Sequence, residues 1–314
     1  MAQQTSSTVI LAGGSGALGT HLAHDLLSRG HHPIILTRRV DPSSPFEQVV
    51  WDGRTQGDWV DVVTADRPTA VVNLAGKLVD CRPTTANIAA LRDSRVDATR
   101  ALVVASRMRR TPISHWLQSS TTAIWSDAGE QWCTEATPVP EPGLPQMTGV
   151  AQPWEAAVDG ANTEHLTVLR TSIVLDADAP AMRRLAGLTS AGLGGRIGDG
   201  RQWFSWIHVD DWLAIARMAL GVDGPTMLPD GVLVAAAPNP VRNAELMAQL
   251  RKVLHRPPAP PTPGVLLKLG AVALRTDPAL GLTGRRARSD VLADAGFEFR
   301  FPDLDAALAD LVGS

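Results

Sequence analysis

The sequence predicts an α/β protein, a doubly wound parallel-sheet fold with a smaller, mostly helical C-terminal domain. Through residue 238, short apolar runs alternate with helical patterns, an order that builds a parallel sheet with helices on both faces. The first run, Thr8–Ala12, leads into a glycine-rich turn, a helix and a second run at Pro33–Thr37. This order is typical of the first half of a dinucleotide-binding Rossmann unit.

Two domains of unequal size are expected. Residues 1–175 and 205–238 form the predicted Rossmann domain, and residues 176–204 and 239–314 form a smaller substrate or lid domain. A chain of 314 residues is long enough for this division. The proline-rich stretch His255–Pro263 is predicted to be a stiff connector inside the smaller domain.

The remaining elements follow from the spacing of apolar residues. Strands are predicted at Glu47–Asp52, Ala70–Gly76, His115–Gln118, Leu166–Arg170 and Val232–Ala236, and Ala70–Gly76 is expected to be a buried parallel strand. Helices are predicted at Trp59–Thr64, Thr84–Arg110, Trp154–Val158, Trp212–Leu220, Val241–Leu254 and Leu304–Val312. Asp210 or Asp211, and Asn243, are the predicted N-caps. We also expect a mobile loop at Gly192–Gly200, further helix between Pro263 and Gly296, and an extended segment from Gly296 to Pro302.

The glycines of the first turn have the spacing of a pyrophosphate-binding loop. The first permits a tight turn, the second lets the backbone approach a pyrophosphate, and the third lets the helix pack against the strand. The phosphates would meet unpaired N–H groups at the positive end of a helix dipole. A plain strand–helix turn is the alternative. The predicted cofactor contacts here are Gly13, Gly14, Ser15, Gly16, Ala17, Leu18 and Gly19.

The end of the second strand indicates which nucleotide is bound. An NAD-preferring protein usually has an acidic residue there to accept from the ribose 2′-hydroxyl. This chain has Thr37, Arg38 and Arg39 instead, with no carboxylate before Asp41. Arginine suits a 2′-phosphate because its planar donors bind bidentately. We therefore expect NADP(H), the alternative being that the arginines are solvated loop charges.

Further cofactor contacts are predicted where the next strands end. Ligands of doubly wound sheets lie outside the carboxyl ends of the strands. We place Asp52 near the adenine, and we add to the cofactor site Asn73, Ala75, Gly76 and Ser119.

Composition excludes several other classes. A net charge of −3 and 44% hydrophobic residues give no basic surplus for nucleic acid. No run approaches the roughly 18 apolar residues that a membrane span needs. The two cysteines, Cys81 and Cys133, are isolated, which indicates a reducing cytoplasm and gives no metal-ligand spacing. We expect a cytoplasmic protein without a metal site.

Several motifs together resemble the extended short-chain dehydrogenase/reductases. They are the glycine turn, Asn73–Gly76, the hydroxyl cluster Ser119–Thr122, Leu169–Thr171 and Ile207–Asp211. Other motifs are similar to the atypical subfamily of NAD(P)-dependent epimerases that ends in a domain of unknown function. These motifs are Leu91–Val96, Gly200–His208, Ala237–Val241 and Gly296–Arg300.

The resemblance implies a catalytic Ser/Thr, a Tyr that transfers the proton, and a Lys four residues later. Thr121 matches the hydroxyl position. The Tyr and Lys positions fall near Met147 and Ala151, and the chain contains no tyrosine. The family's ordinary proton transfer is therefore excluded for this chain.

Two residues are candidates to replace that proton transfer. Lys77 follows the predicted strand at the sheet's carboxyl edge, where desolvation lowers a lysine pKa; a solvated loop lysine is the alternative. His208 is the histidine inside a family motif, and a structural histidine bonded to the backbone is the alternative. The predicted substrate contacts are Arg95, Met147, Arg201, Gln202 and Trp203. A salt-bridged helix residue is the alternative for Arg95, and packing against the cofactor domain is the alternative for residues 201–203.

The expected function is that of an NADP(H)-binding atypical reductase or epimerase acting on a small carbonyl or hydroxyl compound. Hydride transfer depends on positioning more than on acid–base help, so loss of the tyrosine does not exclude it. Two alternatives stay open: an inactive NADP(H)-binding sensor or scaffold, and a redox-neutral isomerase or cyclase. The expected partner is a small-molecule substrate, and a homodimer is left open.

Overall fold

The computed structural model describes residues 7–67, 69–222, 228–263 and 277–312. Seven parallel strands form its central sheet, in the order β11–β7–β5–β4–β1–β2–β3. Their bounds are β1 Thr8–Ala12, β2 His32–Thr37, β3 Glu47–Val50, β4 Thr69–Asn73, β5 Ile113–Thr121, β7 Thr163–Thr171 and β11 Gly231–Ala235. This order confirms the predicted doubly wound fold.

Helices cover both faces of this sheet. Along β1, Val9 and Leu11 belong to one apolar cluster, and Ile10 and Ala12 belong to another, because successive side chains of a strand point to opposite faces. The first cluster includes helices α1 and α6, and the second includes α2 and α3. The helix bounds are α1 Ala17–Ser28, α2 Trp59–Thr64, α3 Thr85–Arg107, α4 Thr148–Ala156, α5 Pro180–Leu188, α6 Val209–Ala219 and α7 Asn243–Val253.

A third apolar cluster lies outside the sheet. It joins α7 to the last helix, α10 (Leu304–Val312), through Trp206 and Phe301. Among the described residues between these helices are two short ones, α8 (Ala279–Leu282) and α9 (Asp290–Asp294). Three short strand pairings complete the described part, formed by β6 Trp132–Cys133, β8 Ile173–Leu175, β9 Trp203–Phe204, β10 Trp206–His208, β12 Val241–Arg242 and β13 Arg286–Ala287. The helix predicted after Pro263 falls partly on residues 264–276, which lie outside the described residues.

The structure corrects the predicted starts of two helices. Helix α6 begins at Val209, and its N-cap is His208, whose Nδ1 accepts a hydrogen bond from the Asp210 N–H (3.1 Å). Neither Asp210 nor Asp211 caps it. In α7 the N-cap is Arg242, and Asn243 is the first helical residue. At α6 a histidine ring nitrogen accepts the hydrogen bond that a side-chain oxygen of the N-cap usually accepts. Residue preferences for the N-cap do not predict a histidine there.

The structure also corrects three segments between the larger elements. Helix α4 begins at Thr148, earlier than predicted, and continues through Pro153. The segment Gly296–Pro302 contains no strand. The glycine-rich loop is tied to the proline-rich connector, since the Gly198 N–H donates to the Thr262 carbonyl (2.9 Å). The Thr262 N–H in turn donates to the Arg196 carbonyl (2.8 Å).

No helix within the four described ranges combines the length and apolar character needed to cross a bilayer.

Candidate active site

The turn after β1 requires glycine at three of its positions. At Gly14 an added Cβ would lie 2.8 Å from the Leu11 Cβ. Gly13 has φ +78°, and a Cβ there would lie 2.9 Å from the backbone of Leu74 and Ala75. At Gly19 a Cβ would lie 2.5 Å from the Gly14 Cα. At Gly16 the added atom would meet one carbonyl oxygen at 3.3 Å and is otherwise clear, so this face of the turn is open.

Helix α1 points its N-terminus at this open face. Its N-cap, Gly16, has no capping side chain, and its first turn has no acidic residue. Ser15 and Ala17 are exposed, and their N–H groups have no acceptor among the described residues. Free donors at the positive end of a helix are the features that bind a pyrophosphate. The residues here therefore fit a dinucleotide.

The end of β2 presents an unpaired arginine. Thr37 is buried, and its hydroxyl donates to the Arg39 carbonyl (3.0 Å), which fixes the turn. Arg38 is exposed and has no ion pair within the described part of the chain. Arg39 is exposed as well. The pKa of Asp41 is lowered mainly by hydrogen bonds from Ser43, and the charge of Arg39 makes a smaller contribution in the same direction. Free guanidinium groups fit a 2′-phosphate.

The side chains of two predicted cofactor residues, Asp52 and Asn73, form hydrogen bonds to other residues of the protein. The Asp52 carboxylate accepts from the Arg54 and Thr55 N–H groups (both 2.8 Å) and from the Thr55 hydroxyl (2.6 Å). The buried Asn73 amide donates to Thr99 and Gln118, and its oxygen accepts from the Ala75 N–H. The Asn73 side chain therefore fixes the end of β4.

Ala75, Gly76 and Ser119 lie at the carboxyl edge of the sheet, next to the glycine turn. Ala75 is buried beneath Gly13, Gly76 is exposed, and Ser119 is half-buried near the end of β5. The edge thus brings together the main predicted cofactor positions.

The positions predicted for the tyrosine and lysine hold buried apolar side chains. Met147 is 3% exposed and precedes α4, and Ala151 is 1% exposed in its second turn. The Met147 sulfur lies 4.0 Å from the Thr283 hydroxyl, which itself donates to the Ala279 carbonyl (2.7 Å). Neither Met147 nor Ala151 has a proton to exchange.

Thr121 ends β5 with a hydroxyl that has a free hydrogen. Its Oγ1 accepts from the Ala123 N–H (3.1 Å), while the hydroxyl hydrogen has no acceptor among the described residues. Lys77 is exposed just beyond β4; its N–H donates to Ser94 and its carbonyl accepts from Arg95. Both residues reach the sheet edge.

The geometry of His208 favours the structural alternative. Its ring is 1% exposed and lies 3.9 Å from the Phe301 ring, centroid to centroid. Nδ1 caps α6, and Nε2 lies 3.3 Å from an Asp310 carboxylate oxygen. Burial lowers the pKa of His208, against the opposing charges of the nearby aspartates, so its neutral form is favoured.

Arg95 projects from α3 over the end of β4. Its Nη1 donates to the Lys77 and Leu91 carbonyls (both 3.0 Å), and its guanidinium carbon lies 5.0 Å from the centre of the Trp154 ring. A Cβ on Gly76 would lie 3.0 Å from it. It has no carboxylate partner in the described residues, so the salt-bridge alternative fails. Burial lowers the pKa of Arg95 to about 10, and it stays cationic at neutral pH.

The predicted substrate contacts at residues 201–203 are engaged in packing. Gln202 donates to the Ile197 and Gly281 carbonyls. Trp203 donates to Glu130 (3.1 Å), and the Arg242 guanidinium lies over its ring. The exposed Arg201 side chain makes no described hydrogen bond, but its charge helps to lower the pKa of Glu130, after the hydrogen bonds from Arg242 and Trp203. This arrangement favours the packing alternative for Gln202 and Trp203.

Sequence reasoning missed a buried ion pair behind the site. Arg170 on β7 binds Glu155 of α4 bidentately (2.9 and 2.8 Å), and Glu155 also accepts from the Ser120 hydroxyl (2.5 Å). The two charged side chains are 7% and 15% exposed. Leu169–Thr171 stood out only as a motif, and nothing in the sequence indicated its partner.

It also missed residues 283–288, which we call the strap. The Gly284 N–H donates to the Asp127 carboxylate (3.2 Å), and β13 within the strap pairs with β6. Arg286 is stacked between Trp132 and Trp203, with its guanidinium carbon 3.8 and 4.4 Å from the ring centres. The strap therefore fastens the C-terminal part of the chain beside Met147.

Among the residues that the structure describes, no three His, Cys, Asp or Glu side chains are grouped as metal ligands.

Residues 9–145 match the model of the NAD dependent epimerase/dehydratase family, and residues 262–311 match a domain of unknown function, DUF1731. The chain is similar to the human epimerase family protein SDR39U1 (28% identity, covering 97% of this chain and 99% of that protein). It is 29% identical to the chloroplastic SDR39U1 homologue of Arabidopsis thaliana, over 98% of this chain and 87% of that protein.

Two solved structures have the same fold. The human SDR39U1 crystal structure, obtained with NADPH, has a TM-score of 0.81 and 26% identity, covering 97% of this chain and 98% of that one. A nucleoside-diphosphate sugar epimerase from Corynebacterium glutamicum has a TM-score of 0.76 and 26% identity, covering 99% of this chain and 59% of that one.

Proposed function

This chain joins an NAD dependent epimerase/dehydratase region to a C-terminal DUF1731 region, and from that premise we propose that it is an NADP(H)-dependent oxidoreductase or epimerase. Its substrate is a small carbonyl or hydroxyl compound. Residues 1–175 and 205–238 bind the cofactor, and residues 176–204 and 239–314 form the substrate side.

One observation carries the cofactor assignment: the unpaired Arg38 lies beyond β2, next to an α1 N-terminus that has no cap. The glycine turn offers free N–H groups to a pyrophosphate, and Arg38 offers a bidentate fork to a 2′-phosphate. The human relative crystallised with NADPH supports the same cofactor. NADPH, when bound, supplies a hydride to the substrate carbon.

The protein's own part in the reaction is to bind and orient. Thr121 donates its free hydroxyl hydrogen to the substrate oxygen, and Arg95 and the buried Met147 border the reacting region. A threonine hydroxyl is too weak an acid to give up a proton at neutral pH, so water supplies it. Loss of a general acid typically costs 10²–10⁴-fold in rate, so the enzyme is slow.

The cofactor half of the proposal is tested by titrating the purified protein with NADPH and NADH, following nucleotide fluorescence. We expect NADPH to bind more tightly, and Arg38→Ala to weaken NADPH at least tenfold while leaving NADH nearly unchanged, since charge-assisted bonds are worth about 1.5–3 kcal/mol. Arg110→Ala is the matched control, because Arg110 is exposed in the turn before β5, at the opposite edge of the sheet. Equal affinity for the two nucleotides would refute the NADP(H) assignment.

The chemical half is tested with NADPH deuterated at C4 and a panel of small carbonyl compounds. Deuterium in the product marks hydride transfer. A product of unchanged oxidation state, without exchange of the label, would instead identify a redox-neutral isomerase or cyclase.

A second candidate function is that of an NADP(H)-binding sensor or scaffold without chemistry. Met147 and Ala151 favour it, because both are buried and apolar where the related enzymes carry the proton-transfer pair. Tight NADPH binding with no label transfer to any carbonyl compound would establish this alternative.

A further inference from the structure

Arg95 is a cation without an anion, placed where the proposed substrate reacts. Two of its five N–H donors are engaged with the Lys77 and Leu91 carbonyls through Nη1. The donors on Nε and Nη2 have no partner among the described residues. A guanidinium that is held rigidly and partly desolvated, with free donors, is arranged to bind a planar anion.

The support beneath Arg95 fixes its direction. The Trp154 ring lies 5.0 Å from the guanidinium carbon, and Gly76 lies against the guanidinium on the sheet side. A side chain at residue 76 would collide with Arg95, so the glycine leaves the room that the guanidinium occupies. The Arg95 guanidinium therefore contacts three parts of the chain, which are helix α3, the segment after β4 and helix α4.

Arg95 and Thr121 both lie at the carboxyl edge of the sheet. Strands β4 and β5 are neighbours, with Asn73 at the end of β4 opposite Gln118. Arg95 contacts the segment that follows β4 through the Lys77 carbonyl, and Thr121 is the last residue of β5. Neighbouring strands are about 4.8 Å apart. We therefore take one short organic molecule bound at this edge to meet both the free donors of Arg95 and the free hydroxyl hydrogen of Thr121.

We propose that the substrate is a short oxo acid or the corresponding hydroxy acid, with its carboxylate bound by Arg95 and its carbonyl oxygen bound by Thr121. This proposal rests on the proposed function and names its substrate class. In the reductive direction the carbonyl carbon gains a hydride from NADPH, the oxygen gains a proton from water, and NADP⁺ is the oxidised product. The carboxylate is unchanged, and it holds the carbonyl in one orientation.

The test uses oxamate, a non-reducible carboxylate, and its neutral isostere oxamide. Each is titrated by calorimetry into the protein saturated with NADPH, after NADPH binding has been measured separately. We expect oxamate to bind at least tenfold more tightly than oxamide. Arg95→Met should weaken oxamate roughly 10- to 100-fold, Arg95→Lys less, and NADPH affinity should change less than twofold.

Arg92→Met is the matched control, because Arg92 lies one turn earlier on α3, is exposed and pairs with Asp93. It should leave oxamate affinity unchanged. Thr121→Val should weaken oxamate and oxamide alike, since both have the carbonyl. Circular dichroism on each variant checks that the fold is intact, and Arg95→Lys keeps the charge if Arg95→Met unfolds.

Three results would overturn the proposal while NADPH binding stands. They are equal affinity for oxamate and oxamide, inorganic phosphate binding as tightly as oxamate, and Arg95→Met weakening NADPH as much as oxamate. The last would make Arg95 a cofactor residue. Absence of NADPH binding would instead refute the proposed function, and the two failures are thereby distinguished.

Discussion

Arginines carry nearly all the positive charge of this chain, because it has only three lysines. Four of these arginines near the sheet differ in whether the protein itself supplies their partners. Arg109 and Arg170 stabilise the fold. Arg109 donates to backbone carbonyls, and Arg170 pairs with Glu155. Arg38 and Arg95 have no carboxylate partner among the described residues and lie at the carboxyl edge of the sheet. Burying a cation without a partner is costly. This cost applies to the half-buried Arg95 and not to the exposed Arg38, so Arg95 is the stronger indicator of a bound anion.

At Gly19 we predict that alanine disrupts the turn. The added Cβ would lie 2.5 Å from the Gly14 Cα, and backbone cannot move aside as a flexible side chain can. Overpacking of this kind costs about 1–3 kcal/mol. Urea unfolding should show that loss, and NADPH titration should show weaker binding. Gly187→Ala is the control, since nothing lies within 4 Å of its added atom and alanine favours the helix. A Gly19→Ala protein with unchanged NADPH affinity would contradict the role given to the turn.

At His208 we predict a pH-dependent stability. Burial lowers its pKa below the ordinary value of 6.5, against Asp210, Asp310 and Asp211, with Arg300 acting with burial. As the pH falls through 6.5, the unfolded chain therefore takes up this proton before the folded protein does. The contribution of neutral His208 to the free energy of unfolding is fully present above pH 6.5. It is lost as the pH falls toward the pKa that His208 has in the folded protein.

The measurement is the free energy of unfolding in urea at pH 7.5 and pH 5.5. His208→Gln should reduce the difference between the two, because glutamine keeps an acceptor for the cap and does not titrate. His255→Asn, at an exposed position, serves as the control. A variant with the wild-type pH dependence would show that other groups cause it.

Among the elements, α4 shows how one side of the candidate site is held in place. Its N-terminal end presents Met147, its middle presents Ala151 and Trp154, and its end is tied to the sheet by Glu155. The carboxylate binds β7 through Arg170 and β5 through Ser120. Glu155 therefore ties α4, the helix beside the candidate site, to two strands of the sheet, although it is itself none of the predicted site residues.

We predict that Glu155→Gln destabilises the protein by about 3 kcal/mol or more, because it leaves Arg170 buried without its counter-charge. Thermal or urea unfolding measures this directly. The matched control is Asp178→Asn, which breaks an exposed pair with Arg183 at 3.9 Å and should change stability by less than about 0.5 kcal/mol. Equal effects of the two substitutions would mean that the buried pair has no structural role.

For the whole molecule, the sequence predicted the sheet better than the surroundings of the site. The runs at Thr8–Ala12 and Ala70–Gly76 identified strands because a strand buried on both faces is apolar throughout, a local property. The glycine turn was readable for the same reason. The Arg170–Glu155 pair and the strap depend on contacts between residues far apart in the chain, and no local pattern encodes those. The N-cap of α6 was misassigned to Asp210 or Asp211 because capping depends on local geometry.

A buried carboxylate ties residues 300 and 301 to helix α6. Asp211 on α6 accepts from the backbone N–H groups of Arg300 (2.7 Å) and Phe301 (3.0 Å). We predict that Asp211→Ala destabilises the protein by about 2 kcal/mol, since two charge-assisted bonds are lost and two N–H groups are left without an acceptor. Hydrogen exchange should accelerate in residues 300–312 and stay unchanged in β1. Uniform acceleration throughout would show that the segment does not open separately.

The strap has a consequence for the time course of synthesis. Thr283 follows Arg95 by 188 positions, so at roughly 5–20 residues per second a ribosome makes it about 10–40 s later. During that interval the glycine turn, β4 and Arg95 already exist, while the segment that will contact Met147 does not. A nascent chain therefore has the proposed nucleotide-binding turn well before it can complete the contact at Met147, and a nucleotide that binds this turn could do so during synthesis.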